Sequence, residues 1–198
     1  MPNAQASASG SPASNSTTAG RRVVILLLPS LDWPDVSQGS KSLPHLRQLS
    51  QQGSVGLVNL SPVRRDDTAA GYLMLGAGAK LSATSGVGEA YGVDDQIAVS
   101  TTEAVPVSDL YQQYYAKVPP SHGVVVLGMA PTVRLAEQSA SPAPLGLLGD
   151  FVHQQGYRTA VLGNADVDEK PHREAASVAM DSAWVVDEGE VSRSLLRT

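Results

Sequence analysis

Cysteine is absent from the chain's 198 residues, which excludes a disulfide framework, a thiolate nucleophile and Cys-ligated zinc. The compartment stays open on that count. Charge is sparse at 17%, and 14 Lys+Arg against 19 Asp+Glu leave a net charge of -5. That balance offers no basic face for a phosphate backbone, so no nucleic-acid partner is expected. Long apolar runs are missing too: the longest, Val23 to Pro29, is far short of the ~20 residues a membrane helix needs. No membrane span is expected. What the chain does have is 42% hydrophobic residues, enough to bury a core, since a globular chain near this size hides roughly 70% of its unfolded surface. The length suits one ordinary domain with a tail better than two full domains.

The tail is residues 1–20, MPNAQASASGSPASNSTTAG, uncharged and almost without large side chains. Such a segment cannot repay the entropy of ordering and reads as a disordered tail or linker. It has neither the charged start nor the apolar stretch of a signal peptide. Residues 21–198 read as one α/β domain. VVILLL after Arg22 is β-branched and Leu-rich without polar alternation, as in a strand buried on both faces of a sheet. Leu43, Leu46 and Leu49 follow Pro44 at helical spacing and stop at Gly53. Ser54 to Leu60 reads as a second strand, and Asp66-Asp67-Thr68 as the cap of a helix through AAGYLMLGAGA. Ser82 to Glu103 has no clear period and reads as a surface excursion. A helix around Val107 to Val118 and a strand from Gly123 to Leu127 come next. A helix through Leu145, Leu148, Phe151 and Val152 ends at Gly156 and leads into a strand from Arg158 to Leu162. Pro171 then opens a helix before the strand Ala183 to Val186. Strand and helix alternate, the pattern of a three-layer α/β/α sandwich with a mostly parallel central sheet.

In such a sheet the chemistry collects beyond the carboxyl ends of the strands. Those places hold Pro29-Ser30-Leu31-Asp32-Trp33, Ser61 to Thr68, and Gly163-Asn164-Ala165-Asp166. Asn164 and Asp166 suit either a polar site or an Asx turn. The four histidines, His45, His122, His153 and His172, occur singly, without the spacing that sets two ligands on one face. They read as surface or helix-end residues. Gly76-Ala77-Gly78 lacks the third glycine of a dinucleotide fingerprint and reads as helix packing or a helix end. Tyr111, Tyr114 and Tyr115 at helical spacing read as core or interface.

Three stretches, VVILLLPSLDWPDV, GLVNLSPVRRDDTAAGYLMLGAGAK and PLGLLGDFVHQQGYRTAVLGNAD, together with Arg173 and Met180-Asp181, resemble the alkaline phosphatase superfamily, in its branch related to phosphatases, sulfatases and phosphoglycerate mutases. The resemblance covers about residues 22 to 191 and implies an alkaline phosphatase-like fold, of which 21–198 is the N-terminal portion. It implies a Ser, Thr or Cys nucleophile opening the helix after the second strand, where Thr68 stands, although Asp67 or Thr68 equally suits a plain N-cap. It also implies a metal-binding Asp directly after the first strand, where this chain has Pro29-Ser30. Asp32 or Asp35 would have to fold back to replace it. The remaining Asp and His ligands of the family belong to its C-terminal half. No metal ligand and no cofactor are therefore assigned within this chain; Zn, Mg or Mn would enter only if a C-terminal half or partner chain completes the site. The expected protein is a phosphatase- or sulfatase-related chain with an incomplete metal site, inactive alone. The alternative is a non-catalytic α/β module binding a ligand or protein. The resemblance leaves a secreted or cell-envelope setting open.

Overall fold

The structure, a computed structural model, describes residues 22–29, 31–37, 43–56, 58, 67–139, 142–167 and 170–196. The tail of residues 1–20 and the stretch Ser61 to Asp66 lie outside these. The chain is mixed α/β. In order, the elements are α1 (Trp33–Ser37), α2 (Pro44–Gln52), α3 (Thr68–Ala77), β1 (Ala90–Gly92), β2 (Gln96–Ala98), β3 (Ala104–Pro106), α4 (Val107–Tyr115), β4 (Val124–Val126), α5 (Ala130–Glu137), α6 (Leu147–Gln154), β5 (Ala160–Leu162), α7 (Ala176–Ala179), β6 (Val185–Val186) and β7 (Glu188–Glu190).

The core is organised around β4. Its three valines are completely buried, and their side chains alternate across the sheet as a strand requires. Val124 and Val126 join Leu73 and Met74 of α3, Ala176 of α7, Met129, Met180 and Val186. Val125 faces the other way, into Val107, Leu110 and Tyr111 of α4 with Val185. Helices therefore cover β4 on both faces. Each fully buried Val or Leu contributes roughly 1.5–3 kcal/mol, so these two clusters carry most of the stabilisation.

α3 packs by a glycine. Its buried residues Ala70, Leu73, Met74 and Ala77 share one face, and Gly76 lets that face meet the backbone of α7. A Cβ at Gly76 would lie 2.5 Å from the Ser177 carbonyl oxygen. Gly78, at φ +64, ends the helix in the left-handed conformation. Both halves of the helix-packing and helix-end reading of this glycine-rich stretch are thus present.

Pairing directions differ from the parallel pattern. β4 lies between β1 and β6 and is antiparallel to both, and β2 and β3 are antiparallel as well. Among the described residues only β5 and β7 pair in parallel. A run of valines carries no information on direction; pairing with the returning chain decides it. Ser82 to Glu103 is also no mere excursion. It holds a 3₁₀ turn at Ser85–Gly88, β1 and β2, with Val87 and Ala90 fully buried. Its short Gly-rich elements close through backbone approach, as where a Cβ on Gly86 would lie 2.2 Å from the Gly128 oxygen. A hydrophobic period cannot register such contacts.

The largest departure concerns the first expected strand. Residues 22–28 lie in no helix or strand, and Val23 and Val24 are 88% and 87% exposed. Residues 54–56 and 58 of the second expected strand likewise pair with nothing described, the rest of it lying outside the described residues. Apolar pattern marks a segment as suited to burial, but burial needs a neighbour. The helix expected after Pro171 is also shorter than its pattern, beginning only at Ala176, because the His172 amide and the Arg173 side chain are drawn to Asp166 in the network described below.

Candidate active site

Thr68 is the first residue of α3 and is exposed. The preceding residue supplies the cap: the Asp67 carboxylate accepts a hydrogen bond from the Ala70 amide at 2.9 Å, and its carbonyl accepts from Gly71. The Thr68 hydroxyl has no hydrogen-bond partner among the described residues. A helix start leaves its first amides without intrahelical partners, so an exposed hydroxyl here shares its surroundings with donors suited to an anion.

The other sequence candidates do not converge on Thr68. Asp35 closes its own turn by accepting from the Asp32 amide at 3.1 Å. Asn164 accepts from the Asp166 amide at 2.7 Å, which is the Asx turn, and its side-chain amide donates to the Val191 carbonyl. Asp166 is held by Arg173: Nη2 donates to Oδ2 at 2.7 Å and Nε approaches both carboxylate oxygens at 3.1 and 3.2 Å. Only 2% of the Asp166 side chain and 8% of the Arg173 side chain are exposed. Arg173 also donates to the Ala90 carbonyl and lies over the Tyr91 ring. Burial would raise the Asp166 pKa, but the Arg173 hydrogen bonds, the His172 amide and Asn164 outweigh it and bring the carboxyl down to about 2. An acid this committed is a structural anchor between the loop after β5 and the loop before α7.

Of the histidines, His45 and His172 are exposed, and His122 meets Asp94 at 4.0 Å in solvent. His153 differs. It sits in the last turn of α6, with Nε2 at 2.8 Å from Asp187 and Nδ1 at 3.7 Å from Asp181. The same Asp187 oxygen accepts from the Thr159 amide and hydroxyl. Burial tends to raise the Asp187 pKa, while the Thr159 amide and His153 lower it to a net depression. Sequence reasoning missed this cluster because Thr159 and Asp187 are 28 residues apart and neither carries a local motif.

A concavity of about 520 Å³ is lined by Glu89, Gln113, Tyr114, Tyr115, Leu127, Gly128 and Ala130. Tyr115 reaches it from α4, donating to the Leu127 carbonyl. Burial pushes its hydroxyl up to about 12, so it is no base at neutral pH. Tyr111 is buried, as the core reading of that trio expects, and Tyr114 is exposed.

A dinuclear metal centre does not fit these side chains. Among the described residues no group of three or more His, Asp or Glu could hold a metal ion. Asp166 is engaged by Arg173, Asp187 by His153 and the Thr159 amide, and Asp35 by the Asp32 amide. No family model matches the chain, and comparison with curated proteins and with solved structures returns no similar protein. The alkaline phosphatase resemblance accordingly rests on its motifs alone. Arg64 and Arg65, the cations nearest Thr68 in sequence, lie outside the described residues, and no described helix is long and apolar enough to cross a membrane.

Proposed function

We propose that this chain is a portion of a phosphatase- or sulfatase-related hydrolase of the alkaline phosphatase type, inactive alone, in which Thr68 is the acceptor hydroxyl. The observation that carries the reading is the division of labour at the start of α3: Asp67 caps the helix, so capping does not account for Thr68. In the reaction class concerned, the hydroxyl oxygen attacks phosphorus or sulfur in line and the ester oxygen departs. Here Thr68 would supply the attacking oxygen and the first amides of α3 would face the transferred oxyanion. The helices on both faces of β4 support a three-layer α/β/α sandwich, completed by a C-terminal half or a partner chain. Zinc, magnesium or manganese would belong to that completing part. A second reading, a non-catalytic α/β module that binds a ligand or protein, is favoured by Pro29 and by the engagement of Asp166 and Asp187 in structural bonds.

The test is Thr68→Ala, assayed with a chromogenic phosphate or sulfate ester in the completed protein and by denaturant melting. The expected outcome is loss of hydrolysis with a stability change below about 1 kcal/mol, since Asp67 keeps the cap. Undiminished hydrolysis by a folded Thr68→Ala protein removes the assignment. A completed wild-type protein that hydrolyses neither ester leaves the binding reading.

A further inference from the structure

Among the described residues, every half-buried carboxylate but one accepts a hydrogen bond or meets a histidine or arginine. Asp95 takes the Gly92 amide, and Asp181 takes those of Ala183 and Val185. Glu89 is the exception: its side chain has no hydrogen-bond or ion-pair partner among the described residues. A carboxylate with restricted access to water and no protein donor keeps its bonding capacity open to a ligand.

The carboxylate stands in the 520 Å³ concavity, a volume within the roughly 300–1,000 Å³ of small-molecule sites. Its backbone is held on both sides, the Glu89 amide donating to Gly86 and its carbonyl accepting from Leu127. Gly128 leaves room for it, since a Cβ there would lie 2.7 Å from Glu89 Oε2. The facing wall is the C-terminal end of α4, where the Tyr114 and Tyr115 rings meet edge to face at 6.4 Å. Tyr115 is pinned through its hydroxyl, which donates to the Leu127 carbonyl and accepts from the Met129 amide. No lysine, arginine or histidine lines the concavity. The carboxylate, the faces of the rings and the last carbonyls of α4 all favour positive charge.

We propose that this concavity binds an organic cation carrying N–H donors, an alkylammonium or a guanidinium, with Glu89 as its counter-ion and the two tyrosine rings as its wall. The N–H groups supply the donors that Glu89 lacks, and the rings cover the alkyl portion. The inference does not depend on the role of Thr68.

Calorimetric titration of the full chain with butylguanidinium at low salt tests it. One-to-one binding with a Kd below about 1 mM is expected. Glu89→Gln keeps the shape and removes the charge, and should weaken binding at least about tenfold; Tyr114→Ala should weaken it at least about threefold. Glu103→Gln, at an exposed position between β2 and β3, should leave the Kd unchanged and so separates the site from general attraction to a chain of net charge -5. Tetramethylammonium has the charge without the N–H groups and should bind wild type at least about tenfold more weakly than butylguanidinium, a comparison that needs no variant. No saturable binding, an unchanged Kd in a folded Glu89→Gln protein, an equal loss in Glu103→Gln or equal affinity for tetramethylammonium each overturns the proposal. N-acetylarginine amide distinguishes the sources of the cation: binding at least as tight as that of butylguanidinium points to an arginine side chain of a peptide, weaker binding to a free small molecule, and both sustain the site.

Discussion

Replacing Arg173 with methionine keeps most of the side chain's volume and removes its charge. The consequence follows from what Arg173 neutralises. Asp166, 2% exposed at its side chain, would keep the His172 amide at 2.9 Å and Arg193 at 3.4 Å, the latter half exposed and at the limit of contact. The Ala90 carbonyl would lose a donor at 2.8 Å. Breaking a buried ion pair from one side costs about 3–5 kcal/mol because the remaining charge is left desolvated. For a chain of this size that is a fall in Tm of roughly 10 °C. The sign of the pH dependence follows from Asp166, whose carboxyl is lowered from 3.8 to about 2. A depressed carboxylate stabilises the fold above its unfolded pKa and loses that contribution as pH falls through the folded value. Wild type should therefore lose at most about 2 kcal/mol from this group between pH 4 and pH 2, with solvent screening reducing the figure. In Arg173→Met the orphaned carboxyl escapes its penalty by protonating, so the gap between variant and wild type should be widest near pH 7 and narrow on acidification. Urea melts of both proteins at pH 7, 5 and 3.5 measure it. A gap below about 0.5 kcal/mol at pH 7, or one that does not change with pH, refutes the account.

Gly76→Ala gains up to about 1 kcal/mol of helix propensity, but its Cβ would sit 2.5 Å from the Ser177 oxygen and 3.0 Å from that of Val178. A net loss of roughly 1–3 kcal/mol in thermal or chemical melts is expected, and a stabilised variant would show that α3 and α7 are not in close contact. Asp187→Asn should cost roughly 1–2 kcal/mol at neutral pH by weakening the Thr159 and His153 bonds. Since the Asp187 pKa is lowered, the loss should fade as pH falls below the ordinary Asp range; a loss that grows with acid contradicts the assignment.

Much of the fold was legible one segment at a time. Val124–Val126, Ala160–Leu162 and Val185–Val186 lie inside the expected strands, and α2, α3, α4 and α6 lie close to their expected helices, because period and terminal glycines or prolines are local signals. The Asx turn at Asn164 was legible for the same reason. Partnership was not. Composition made Val23–Leu28 a strand, yet it stands exposed, since pairing depends on what the rest of the chain brings alongside it. Asp66-Asp67-Thr68 announced a helix start, but only the bond from the Ala70 amide to Asp67 separated cap from free hydroxyl. Arg173 reaches the Ala90 carbonyl across 83 positions, and Asp187 reaches Thr159 across 28. Local pattern specifies which surfaces must be buried and where the backbone turns. Which carboxylate meets which cation, and which strand runs beside which, is decided by long-range packing that brings distant residues within bonding distance.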